Sequence, residues 1–284
     1  ALADLVAKLK RLKGEMGLVA NLPALTGDAQ SFKAGMLNVD VSIQQAGGEY
    51  KGRMSSPVSG DFKSKHFALS DIKANLAASD GKMPKGGVKL EITGSAELDV
   101  ERQDVTLKLI SRLDESTIKA NLGASPFTNP HLRIDGEVDR IDADRYLPPR
   151  SKESESQPEK PLDFSALKTL NASGSVKVGS LKLYNVKASN VRLEFRAGDG
   201  KLELSPLAAS MYQGAASGSL SLNAAGPAVV VRQNIAGVSI GPLLKDALDK
   251  DVLEGRGSVN IDVAANGNAV SAMKKSLQGK AALN

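Results

Sequence analysis

Residues 181–204 read LKLYNVKASNVRLEFRAGDGKLEL, an alternation of apolar and polar side chains folded around a Gly198-Asp199-Gly200 turn. Successive side chains of a strand point to opposite sides, so Val191, Leu193 and Phe195 share one face while Arg192, Glu194 and Arg196 share the other. The Gly-Asp-Gly triplet supplies the positive φ angles of a tight hairpin, which returns Leu202 and Leu204 to the same apolar face. The stretch predicts strand, strand, hairpin, strand, in a sheet with one apolar side and one wet side. What covers the apolar side decides the function.

Working outward, strands are expected at Phe32 to Ile43, Val88 to Val100 and Val105 to Leu113, with turn signals at Gly47-Gly48, Asp80-Gly81 and Gly86-Gly87. Helices are fewer. Leu2, Leu5, Val6, Leu9, Leu12 and Met16 recur at helical spacing beside Lys8, Lys10, Arg11 and Lys13, which predicts an amphipathic basic helix over residues 2–16. A short helix is expected from Asp163 to Leu170, capped by Asp163 and docked through Phe164, Leu167 and Leu170. Two more are expected from Pro242 to Leu253 and from Asn268 to Gln278, the second with Asn268 as N-cap and Gly279 as terminator. Residues 148–161, PPRSKESESQPEKP, bury nothing and read as a polar disordered linker.

A weak internal repeat spans that linker. Leu69, Ile72, Lys73 and Ala74 match Leu183, Val186, Lys187 and Ala188, and the ten residues from Val138 align without gaps to those from Ile235. The domains expected are therefore an N-terminal β-rich module, 1–147, with its leading helix, the linker, and a second β-rich module, 162–284.

Composition removes several functions. The 284 residues contain no Cys and no Trp, with 4% aromatics, so disulfides, thiolate catalysis and Cys-ligated zinc are excluded. The net charge of +5 is spread along strands in alternation with apolar residues, the pattern of a solvated sheet face and not of a nucleic-acid patch. His66 and His131 are the only histidines and form no metal-ligand spacing. No serine occupies a Gly-x-Ser-x-Gly turn, and Glu97, Asp99 and Glu101 alternate with Leu98 and Val100 as a wet strand face does. No catalytic residue, metal or cofactor is expected, and no run approaches the roughly 20 apolar residues of a membrane span.

From Asp163 to Leu283 the order of motifs resembles the AsmA family: the short helix, then Ala172-Ser-Gly-Ser-Val-Lys-Val, the quoted stretch, Met211-Tyr-Gln-Gly, Gly218-Ser-Leu-Ser-Leu, Ile235-Ala-Gly-Val-Ser-Ile-Gly-Pro-Leu-Leu-Lys-Asp, Leu253-Glu-Gly-Arg-Gly-Ser-Val-Asn-Ile-Asp and Met273-Lys-Lys-Ser-Leu-Gln-Gly-Lys-Ala. The resemblance implies a mainly β fold with a few short helices, an elongated, curved, largely antiparallel sheet forming a groove, as in bridge-like lipid transfer proteins. It implies a periplasmic body tethered to the inner membrane through an anchor outside this segment. It also implies phospholipid as ligand and lipid movement towards the outer membrane as the task. Candidates for the apolar strip are Leu181, Leu183, Val191, Leu193, Phe195, Leu202, Leu204, Leu220, Leu222, Val229 and Val231. Periodicity alone is closer to a sandwich in which these residues form a dry core; the resemblance turns the reading to a groove. The alternative is a scaffold or assembly factor for outer-membrane proteins that binds envelope protein partners at a sheet edge.

Overall fold

The computed structural model describes residues 5–11, 14–22, 25–45, 47–80, 87–147, 161–250 and 253–284. The fold is mainly β, an open and mostly antiparallel architecture with a few short helices, as the alternating pattern predicts. Two units divide it, Ala1–His131 and Leu132–Asn284.

The first unit holds strands β1 (Leu5–Arg11), β2 (Gly14–Asn21), β3 (Leu25–Gly27), β4 (Ser31–Gln45), β5 (Gly48–Asp61), β6 (His66–Asp80), β7 (Val88–Asp99), β8 (Asp104–Leu113) and β9 (Ser116–Ser125). β2 pairs with β4, β3 lies along β4, and from β4 to β9 each strand pairs antiparallel with the next. Among the described residues of the helix expected over 2–16, no helix is formed, residues 2–4 and 12–13 lying outside them. Its residues instead make the β1–β2 ladder, from Leu5 opposite Ala20 to Arg11 opposite Gly14. Helical spacing of a few leucines is a weak preference, and an adjacent segment able to pair over seven residues outweighs it.

The second unit holds β10 (His131–Asp142), a 3-10 turn (Ala143–Arg145), α1 (Ser165–Thr169), β11 (Ala172–Leu183), β12 (Val186–Gly198), β13 (Lys201–Met211), β14 (Gly214–Asn223), β15 (Ala228–Ser239), α2 (Ile240–Leu248), β16 (Arg256–Asn266), α3 (Val270–Ser276) and β17 (Gln278–Leu283). β11 to β17 form an antiparallel meander, whereas β10 and β11 run parallel. Parallel neighbours need a crossover, and the segment from the 3-10 turn through α1 is that connection. β10 thus belongs with the strands that follow it, while residues 148–160 of the expected linker lie outside the described residues.

The Gly198-Asp199-Gly200 hairpin forms as predicted: Gly198 stands opposite Lys201, with Asp199 at φ 51° and Gly200 at φ 74°. The N-cap position of α1 is held by Phe164 and not by Asp163, which stands one residue earlier and whose Oδ1 accepts the Ser165 N–H at 2.8 Å. The other two helices are shorter than predicted. α2 starts at Ile240 and stops at Leu248, because Asp249 turns left-handed and closes it. α3 is preceded by extended Ala269, and the Asn268 carbonyl accepts the Leu162 N–H instead of capping. Gly279 lies inside β17 opposite Val263 and terminates nothing.

The internal repeat resolves unevenly. Val138 and Ile235 both lie in strands followed by a helical turn, β10 and β15, and both strands belong to the second unit. Leu69 to Ile72 lies within β6, whereas Leu183 to Val186 spans the hairpin between β11 and β12.

Candidate functional site

Registers in the second unit place apolar residues in rows across the strands. Leu132, Ala172, Ala197, Leu202, Leu222, Val229 and Ala265 stand opposite one another in succession. A second row runs Ile134, Gly174, Phe195, Leu204, Leu220, Val231, Val263, and a third Gly136, Val176, Leu193, Leu207, Gly218, Gln233, Ile261. Directly opposed residues share a face, so the alternation read in the sequence is continued sideways over seven strands. Val191 faces Val178, Leu181 faces Ala188, and Leu183 faces Val186. Arg192, Glu194 and Arg196 are exposed on the other side, with Arg196 opposite Glu203.

One end of these rows is closed. Leu167 of α1 is 8% exposed and sits on Ala172, Ala197 and Ala224, with Phe164 and Leu170 beside it. Three small residues make the recess that receives one leucine. Phe195, Leu202 and Leu222 pack against this cluster, so these three candidates border a small core. Leu193, Leu204, Leu220, Val229 and Val231 stay half-buried, and Leu183 is exposed. Only a handful of apolar side chains are fully buried among the described residues.

The far end of the strands carries polar clasps. Asp144 of the 3-10 turn accepts the backbone N–H groups of Tyr184 and of Asn185, the latter at 2.8 Å, and holds the β11–β12 turn. Asp246 of α2 accepts the Tyr212 hydroxyl at 2.7 Å and pairs with Lys187 at 3.1 Å. Both carboxyls are held below the ordinary aspartate range, Asp144 chiefly by the Asn185 N–H and Asp246 chiefly by the Tyr212 hydroxyl. The Tyr212 hydroxyl is pushed up, first by its own burial. Acids lowered this way stay ionised and fasten turns; they are poor proton donors at neutral pH. Among the described residues no cluster of His, Cys, Asp or Glu is arranged to hold a metal, and His66 and His131 stand at the starts of separate strands.

The first unit carries apolar rows of its own, outside the candidate strip of the second. Ala20, Val39, Met54, Ala74 and Ile92 form one row, and Leu18, Val41, Gly52, Leu76, Leu90 and Leu113 the next. Over them lies an open hollow of about 530 Å³. At the other end of the strands Phe32, Phe62 and Phe67 cluster with ring centroids 5.3 to 6.3 Å apart. The signal was present in the alternation of Val39, Val41 and Ile43, and of Val88, Leu90 and Ile92.

No described helix is long and apolar enough to cross a membrane. Comparison with curated proteins gives no match, and neither does comparison with solved structures. A model of the AsmA family matches residues 93–284, which takes in the last strands of the first unit and the whole of the second. The match extends well beyond the motifs from Asp163 onward, and with an open β architecture beneath it the chain belongs to the AsmA family.

Proposed function

We propose that the apolar sides of the two units hold phospholipid acyl chains in the periplasm and support lipid movement between the inner and outer membranes, with no catalytic step. The observation that carries this reading is the set of apolar rows in register across seven strands, uncovered except at the end row that Leu167 closes. Each methylene removed from water contributes about 0.8 kcal/mol, so a chain of about 16 carbons gains on the order of 10 kcal/mol as an upper bound. Neighbouring rows offer similar contacts, so moving an acyl chain from one row to the next costs little while the headgroup remains in water.

The test is native mass spectrometry of protein purified from cells. Co-purifying phospholipid is expected, reduced in Leu193→Asp and Leu220→Asp and retained in Arg192→Glu, which alters the wet side. Lipid-free wild-type protein, or equal loss in all three variants, overturns the reading.

A further inference from the structure

α3 turns two of its larger apolar side chains outward. Ala269, Ala272, Met273 and Ser276 share one helical stripe and are half-buried on the side toward β16. Val270 and Leu277 are instead 47% and 58% exposed, and Lys274 and Lys275 stand exposed beside them. The helix cannot roll to hide them. The Ser276 Oγ accepts the Asn266 N–H at 2.7 Å and donates to the Asn266 carbonyl at 2.5 Å. On the same side Ala272 lies so close to the preceding turn that a Cβ at Gly267 would stand 2.6 Å from its own. Leu162, 38% exposed, is tied to this end because its N–H donates to the Asn268 carbonyl at 2.6 Å.

Charge separates this end of the second unit from the clasped end. There Lys182 pairs with Asp142 and Asp144, and Lys187 with Asp246. Among the described residues Lys274 and Lys275 have no ion pair. Residues 263–284 hold three lysines and no Asp or Glu. The third, Lys280, stands opposite Asp262 in the β16–β17 ladder, which leaves the pair on α3 uncompensated.

Exposed valine and leucine flanked by unpaired lysines match a surface that is anionic outside and hydrocarbon beneath. Size decides against a protein partner. A stable protein contact buries about 800 Å² on each side around an apolar centre, and a seven-residue helix with one neighbouring leucine supplies a small part of that. A bilayer demands no matched shape, so each apolar tip and each lysine contributes by itself.

We propose that α3, with Leu162, docks the second unit on the surface of an anionic phospholipid bilayer, Val270 and Leu277 entering the headgroup layer while Lys274 and Lys275 meet lipid phosphates. None of these residues belongs to the apolar rows, so this docking surface and the acyl-chain reading stand or fall separately.

The chain contains no Trp, so Leu277→Trp in the full chain gives a single emitter at the proposed contact. On vesicles of phosphatidylethanolamine and phosphatidylglycerol its emission is expected to shift to the blue and to be quenched by lipids brominated high on the acyl chain, with a much smaller response on phosphatidylcholine vesicles or in high salt. In the same background Lys274→Gln with Lys275→Gln weakens vesicle binding about thirtyfold, whereas Lys245→Gln with Lys250→Gln, at the clasped end, leaves it unchanged. Flotation without the emitter guards against affinity added by the indole: wild type floats with the anionic vesicles, and Val270→Ser with Leu277→Ser, both at exposed positions, does not. An emitter that stays in water on anionic vesicles, or equal binding by the two lysine pairs, overturns the docking surface and leaves phospholipid co-purification to be judged by itself. A shift produced by polyglutamate and not by vesicles assigns the surface to an acidic protein and overturns the proposal as well.

Discussion

Truncation of Leu167 to Ala tests whether the closed end of the second unit is a true core. A five-residue helix has no stability of its own, so α1 exists because Leu167 is seated on Ala172, Ala197 and Ala224. Burial of Leu167 is nearly complete at 8% exposure, yet the cluster is small and one side of it faces half-buried Phe195 and Leu202. We therefore place the cost at the lower end of the range for buried leucine, about 2 to 3 kcal/mol. For a cooperative unit of this size that is a fall of about 4 to 12 °C in the thermal midpoint. Calorimetry reads the midpoint, and hydrogen exchange reads the amides of residues 161–171 together with those of Ala172, Ala197 and Ala224. The same variant uncovers the end row, so lipid adducts on Leu202 and Leu222 should rise as stability falls. A midpoint within 1 °C of wild type and unchanged exchange would refute the claim that α1 is held by this leucine.

Removing the Tyr212 hydroxyl in Tyr212→Phe takes away the main cause of the low Asp246 pKa, so the Asp246 carboxyl should titrate nearer its ordinary value, as followed by carbon NMR; an unmoved titration contradicts the clasp. Because Asp144 and Asp246 are both lowered in the folded chain, what they add to stability is present above the ordinary aspartate range and is lost as pH falls through their lowered values; denaturation followed from pH 6 downward should show that loss, and show less of it in Tyr212→Phe. A Cβ at Gly174 would overlap the Ile134 carbonyl, so Gly174→Ala should loosen the parallel β10–β11 pair at a cost of about 1 to 3 kcal/mol by chemical denaturation. Asn190 holds φ at 50°, where a β-branched side chain is strained, so Asn190→Val should cost about 1 to 2 kcal/mol in the same assay while Asn190→Gly is nearly neutral.

Local chemistry made much of this fold legible. The Gly-Asp-Gly hairpin and the inward triplet Val191, Leu193 and Phe195 follow from period-two alternation and the φ preferences of two turn residues, and both are observed. Partnership was not legible. Whether Leu5 to Arg11 coils or pairs depends on Gly14 to Asn21 lying alongside, and the parallel join of β10 to β11 depends on a crossover some thirty residues long. The candidate strip was found in the second unit through its resemblance, while the equivalent rows over Val41 and Leu76 lacked a motif to draw attention to them. That Leu202 and Leu222 border a core could not be read from their strands, because the side chain that covers their end row, Leu167, belongs to the crossover.

The spacing of apolar residues holds one further instruction. A strict alternation over 12 to 15 residues would carry a strand through unchanged, yet apolar residues repeatedly stand three apart: Val138 and Ile141, Val178 and Leu181, Ala188 and Val191, Leu204 and Leu207, Leu69 and Ile72. At most of these places two consecutive residues are exposed, as at Asp139–Arg140, Gly179–Ser180, Ser205–Pro206 and Ser70–Asp71. Registers shift by one residue between β12 and β13 at Ser189/Arg192, between β13 and β14 at Leu204/Leu207 and between β6 and β7 at Leu69/Ile72. An inserted residue reverses which side each later side chain meets, and an apolar spacing of three reverses it back. The same three-residue spacing explains the uneven repeat. Between Leu69 and Ile72 one left-handed residue, Asp71, makes a bulge and the strand continues; between Leu183 and Val186 two in succession, Tyr184 and Asn185, reverse the chain. Bulge and hairpin share a sequence pattern because both solve one problem, returning the next apolar side chain to the face that the previous one left.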